Sequence, residues 1–316
     1  MTSRERVLAA LNFQATDRLP VGFWFHFPED KARGAACVQA HLDYYNTVDV
    51  DLVKMMCDGY FDYPNPVAKA ARRPEDWLKM NPLGPDSPFI REQVERAKAV
   101  KAGLKDEKFL LYNVFAPFSS IRFAAGDDLV MEHLRQNPEA ILRALDVIAQ
   151  DNATLCELLI QEAGLDGVYY CVQGGERDRF SAEDYRRLIG PSDRMVLERA
   201  NAAGGKNILH CCGWAGIQNH LEVWKDYPAA AVNWAVFIEE VDLAAGRALF
   251  GNKCVLGGFD NRKGGVLYTG DREQIRQATL ALKPQLALGG IAGADCTLPG
   301  DINLDHIRWV VEAMGE

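Results

Sequence analysis

Eight short runs rich in β-branched and apolar residues recur along the chain, at 19–25, 51–56, 109–115, 167–171, 207–211, 231–234, 254–257 and 288–293. Most are followed by a longer stretch of helical period, and this alternation is what a parallel sheet with crossover helices produces. The helical stretches are clearest at 138–163, 182–202, 242–249, 272–282 and 304–314. Ser181, Asp242, Asp271 and Asn303 stand where N-caps belong, and Gly164, Gly204 and Gly251 where helix ends call for a left-handed residue. Nothing resembling a linker, repeat or low-complexity tract interrupts the 316 residues, so residues 1–316 read as a single α/β domain. Eight strand and helix units in that length fit a (β/α)8 TIM barrel better than an open doubly wound sheet, which leaves its edge strands exposed. Neither GxGxxG nor GxxxxGK[ST] follows the early runs, which removes the usual nucleotide-binding reason to prefer the open sheet.

Charge and hydropathy narrow the function classes. A net charge of -9 argues against nucleic-acid or anionic-membrane partners, because phosphate neutralisation needs clustered Lys and Arg. No apolar stretch approaches the roughly 20 residues needed to span a bilayer. The opening MTSRERVLAALNF reads as a charged amphipathic helix rather than a secretory signal, so a cytoplasmic protein is expected. The eight cysteines are too scattered for a disulfide framework.

In a barrel of this kind the chemistry gathers where the strands end. His210 and Cys212, at the end of the fifth run, are two apart and project to one side of an extended segment, where they can chelate one ion. Cys296 ends the eighth run on the same rim and supplies a third soft ligand, while Cys211 faces the other way. Three N and S ligands with a fourth place open suit catalytic Zn²⁺. Asp58 and Glu176 are the candidate acid or base groups. His26, Gln173, Gly174, Asn233 and Asp260 are candidates for substrate binding, since all lie at strand ends and the glycine lets backbone approach a ligand. Lys54, inside a buried run, calls for a carboxylate such as Asp51. The proline-containing stretch 61–86 is a candidate lid or docking surface.

Over nearly its whole length the chain resembles the uroporphyrinogen decarboxylase superfamily, which includes zinc-dependent, corrinoid-linked methyltransferases. The resemblance is carried by DRLPVGFW, VDVDLVKMMCDG, VFAPFSSIRFAAG, DGVYYCVQGG, ILHCCGWAG, VLGGFDNRKGGVLYTGDREQI and AGADCTLPGDIN. Decarboxylases of the superfamily carry an Arg-Gln-Ala-Gly-Arg stretch after the first strand, to hold the substrate carboxylates. Here that place reads FHFPEDKARG and brings in Glu29 and Asp30, the wrong sign for a polyanion. The decarboxylase aspartate corresponds to Asp58, but its tyrosine corresponds to Phe123, which lacks the hydroxyl. A histidine near the last strand is replaced by Cys296.

The resemblance to the methyltransferase branch is the stronger one. It implies that His210, Cys212 and Cys296 are zinc ligands. It also implies that a methyl group moves between a small molecule and the cobalamin of a corrinoid partner protein. The alternative is a cofactor-free decarboxylase of the uroporphyrinogen type. The sequence leaves the methyl donor or acceptor, the direction of transfer and the oligomeric state open.

Overall fold

A computed structural model describes residues 1–316. Seven strands, β1 (Leu52–Met55), β2 (Phe109–Phe115), β3 (Gly167–Val172), β4 (Ile208–Cys211), β5 (Ala231–Trp234), β6 (Cys254–Phe259) and β7 (Gly290–Ala294), form one parallel sheet in chain order. Five of the seven are buried throughout, and β2 and β6 at all but one residue each, as expected when helices cover one face and the barrel interior the other. Seven of the eight runs read from the sequence therefore become strands.

The first run does not. Over 19–25 the chain makes only isolated bridges, Val21 to Ala292 and Phe25 to Leu298. Pro20 has no N–H to offer a ladder, and the Val21 N–H is taken by the Asp51 carboxylate at 2.8 Å rather than by a neighbouring strand. The segment nonetheless meets both edges of the sheet. Ala292 N–H donates to the Pro20 carbonyl, Gly22 N–H to the Ala292 carbonyl and Asp51 N–H to the Val21 carbonyl, each at 2.8 Å. These bonds place it as the eighth stave, closing the sheet into a TIM-barrel-like fold. Space is tight there, since a Cβ at Gly22 would come within 3.1 Å of the Leu52 side chain and would need it to shift.

Helix limits follow the local signals. Ser181, Asp242, Asp271 and Asn303 each accept a backbone N–H at a helix start, and Gly164, Gly204 and Gly251 adopt φ of +67°, +99° and +69°. The helix 304–314 has the bounds read from its pattern, whereas 182–202 is broken by a π-turn at Tyr185–Ile189. The first helix, Ser3–Leu11, opens on a capping box between Thr2 and Glu5. It places Val7 and Ala10 in the apolar cluster inside the barrel, with Trp24, Phe109, Tyr169 and Ile291. Buried Arg6 reaches the Asp51 carboxylate, which Arg18 also holds at 2.6 Å. That arrangement corrects the expectation for Lys54, since Asp51 is fully committed to two arginines.

The stretch 61–86 is fastened down. It contains the helix Pro66–Ala70 and a 3-10 turn Pro74–Lys79. Asp151 accepts the N–H groups of Leu83 and Gly84 at 2.7 and 3.1 Å, and buried Trp77 donates its indole N–H to His133 at 2.9 Å. So many fixed points make it part of the packed wall and overturn its reading as a lid.

Candidate metal centre

The strand ends bring a cluster of soft ligands together inside the barrel. His210 sits on β4 directly beside Cys171 on β3 and Asn233 on β5. Residues paired across neighbouring strands share a face, and Cys212, two beyond His210, returns to that face. The ligand atoms of Cys171, His210 and Cys212 all lie within 4.8 Å of one another, and all three residues are buried. Cys296, arriving from the end of β7, places its Sγ 3.5 Å from His210 Nε2. Cys171 was missed in the sequence, where it passes for ordinary core. The available signal was its position at the end of a run that closes on the same rim. Cys211, as expected, points outward into the packing between sheet and helices.

The histidine is held from behind. His210 Nδ1 donates to Asn233 Oδ1, which also accepts the Tyr169 hydroxyl at 2.7 Å. The Asn233 NH₂ donates to the Leu256 and Ala294 carbonyls at 2.8 and 3.1 Å, so its oxygen can only face the imidazole. Nε2 is thereby left as the lone-pair nitrogen, directed to the thiols. Asn233 is completely buried behind the histidine, which corrects its expected role in contacting substrate.

Thiol crowding is the main electrostatic feature. The adjacent Cys171 thiol and burial push Cys212 up to about 12, against an opposing contact from Cys296. The adjacent Cys212 thiol and burial likewise push Cys296 up to about 12. In place of the expected carboxylate, Lys54 meets two aromatic faces, its Nζ lying 4.2 Å from the centre of the Tyr169 ring and 4.8 Å from that of Trp24. Burial lowers its pKa, offset in part by the cysteines nearby.

The remaining candidates occupy the rim. Buried Asp58 accepts from His26 Nδ1 at 2.7 Å and from the Phe27 N–H at 2.9 Å, and the His26 ring is half exposed. Two residues considered separately in the sequence are thus one unit. Buried Glu176 accepts from Arg179 at 2.9 Å and from the Trp214 indole at 3.1 Å. Gln173 donates from Nε2 to Cys212 Sγ at 3.6 Å. Gly174 has φ of +88° and lies against Phe118, whose ring a Cβ would meet at 2.6 Å. Asp260 is engaged by its neighbour Arg262 in a local turn, at 2.7 to 3.1 Å, which lowers its pKa against the cost of partial burial. Nothing brings Asp260 into contact with the thiols.

A family model described as uroporphyrinogen decarboxylase matches residues 2–316. Among solved structures, a methyltransferase from Methanosarcina mazei is similar over 99% of this chain and 98% of its own, with a TM-score of 0.77 at 14% identity. GH5_18 from Streptomyces cattleya, solved in complex with GlcNAc, is similar over 94% of this chain and 80% of its own, with a TM-score of 0.54 and 14% identity. At such identities the likeness is one of fold. No curated protein matches the sequence.

Proposed function

We propose that this chain, which belongs to the uroporphyrinogen decarboxylase family, is a zinc-dependent methyltransferase that moves a methyl group between a small molecule and a corrinoid protein. The observation that carries the reading is the meeting of Cys171, His210 and Cys212 within 4.8 Å of one another inside the barrel, with Cys296 Sγ 3.5 Å from His210 Nε2 and the imidazole oriented by Asn233. The donor set fits a borderline-soft divalent cation: an imidazole nitrogen fixed by a partner behind it, and crowded thiols whose deprotonation a cation would favour. His210, Cys212 and Cys296 would hold the metal, with Cys171 as the nearest fourth donor. When bound, zinc supplies the positive charge that keeps a substrate thiol as nucleophilic thiolate near neutral pH.

The chain's own residues supply the rest. Asn233 holds the His210 proton on Nδ1, and the Gln173 amide donates to the Cys212 sulfur. Asp58 keeps the His26 proton on Nδ1, which leaves Nε2 of the half-exposed ring as a proton acceptor for an incoming group. In the decarboxylase alternative Asp58 would have to meet the substrate, and here it is buried and accepts from His26 and the Phe27 N–H. Phe123, at the place of the decarboxylase tyrosine, is 41% exposed and has no hydroxyl to donate.

The test is elemental analysis of protein purified without added metal, beside a His210→Ala, Cys212→Ser double variant, followed by methyl transfer to and from free cobalamin. About one zinc per chain, lost in the double variant together with transfer, is the expected outcome. Zinc-free native protein, or zinc unaffected by the substitutions, would overturn the assignment.

A further inference from the structure

Arg122 lies on the helix Pro117–Ala125 that follows β2, and it is only 5% exposed. Of its guanidinium nitrogens, Nη2 donates to Gln173 Oε1 at 3.2 Å, while Nε and Nη1 are buried without a hydrogen-bond partner. The nearest carboxylate does not satisfy them. Asp127 Oδ1 stands 3.5 Å from Nε, and both Asp127 oxygens are already held by Arg179 at 2.7 and 2.8 Å. The faces of the guanidinium are covered by Phe118 and Trp214, with ring centres 5.2 and 5.1 Å away.

A buried guanidinium with idle N–H groups costs free energy that only an acceptor recovers. Here the idle donors sit at the reacting centre. The Gln173 amide receives Arg122 on its oxygen and donates to Cys212 from its nitrogen, so one side-chain amide separates the guanidinium from the thiol cluster. The cover is thin on the solvent side. Trp214 is 52% exposed and belongs to a rim loop with Gly213 and Gly216, the latter at φ of +70°. An oxyanion, with two or three acceptor oxygens, matches the unused donors better than any neutral group.

We infer that Arg122 anchors the substrate and that the molecule acted on beside Cys212 carries an oxyanion, held under the Trp214 indole. This rests on the thiol cluster being the reacting centre proposed above, and it adds the substrate's charge class. Lysine at this position would keep the charge without the fork.

Calorimetric titration tests the inference, using propionate, inorganic phosphate and the neutral isostere propionamide on native, Arg122→Gln, Arg122→Lys and Trp214→Phe proteins, each with and without zinc. Native protein should bind propionate or phosphate and not propionamide, and the tighter anion tells a planar from a tetrahedral group. Arg122→Gln should weaken that anion by about tenfold or more, Arg122→Lys by less. Binding should change the indole fluorescence of native protein but not of Trp214→Phe. Equal binding of propionate and propionamide, no saturable binding of either anion, or anion binding unchanged in Arg122→Gln would each overturn the anchor. If Arg122→Gln does not fold, unchanged affinity in Arg122→Lys overturns it instead. Anion binding that depends on Arg122 in a protein that takes up no zinc would keep the anchor and remove the zinc reading.

Discussion

His210 Nδ1 is hydrogen-bonded to Asn233 Oδ1, and the asparagine cannot rotate away because the carbonyls of Leu256 and Ala294 hold its NH₂. One buried amide therefore sets both the tautomer and the plane of the imidazole. Asn233→Ala should lower metal affinity by about 10- to 100-fold, the usual effect of removing an outer-shell partner, with the fold retained. Competition with a chromophoric chelator measures this, and native affinity in the variant would separate Asn233 from the site.

Cys171 and Cys211 offer an internal comparison, since one faces the cluster and the other the helices. In cobalt-substituted protein, Cys171→Ser should reduce the thiolate-to-metal absorption, while Cys211→Ser leaves it unchanged. Absorption that is the same in Cys171→Ser as in native protein would exclude Cys171 from the coordination sphere.

Asp51 ties the closing stave to the first helix by accepting from Arg6, Arg18 and the Val21 N–H. Asp51→Ala would take the carboxylate from Arg18 and the Val21 N–H and one partner from Arg6, whose Nε and Nη2 stay on Asp17. A loss of about 1–3 kcal/mol is expected, read as a lower denaturant midpoint. A shift of under about 0.5 kcal/mol, ordinary for surface changes, would show that closure does not depend on this carboxylate.

Asp193 is buried against the hydroxyls of Tyr185 at 2.8 Å and Tyr227 at 3.2 Å. Burial raises its pKa from 3.8 to about 7, with the two tyrosine hydrogen bonds opposing the rise. A folded-state pKa above the unfolded one means that the stabilisation is complete below the unfolded value and is lost as pH rises through about 7. The thermal midpoint of the native protein should therefore fall between about pH 5 and 8 more than that of Asp193→Asn. Parallel pH profiles for the two proteins would refute this.

Local pattern by itself determined much of this protein. Strand runs and helix caps are short-range features, so β2, β5 and the helix 304–314 were readable to the residue. The two-residue period of a strand was enough to put His210 and Cys212 on one face and Cys211 on the other. Tertiary structure decided the rest, because register and closure join residues that no local pattern relates. Cys171 becomes a neighbour of His210 only through the pairing of β3 with β4. Asn233 lies behind the histidine only through the pairing of β4 with β5. The run 19–25, apolar enough to look like any other strand, is reduced to bridges by a proline and by the Asp51 carboxylate just before β1. Lys54 lost its expected partner for a related reason, since Asp51 answers to arginines from a helix and a loop earlier in the chain. Only packing buries Arg122 beside Gln173 with two of its donor nitrogens unused.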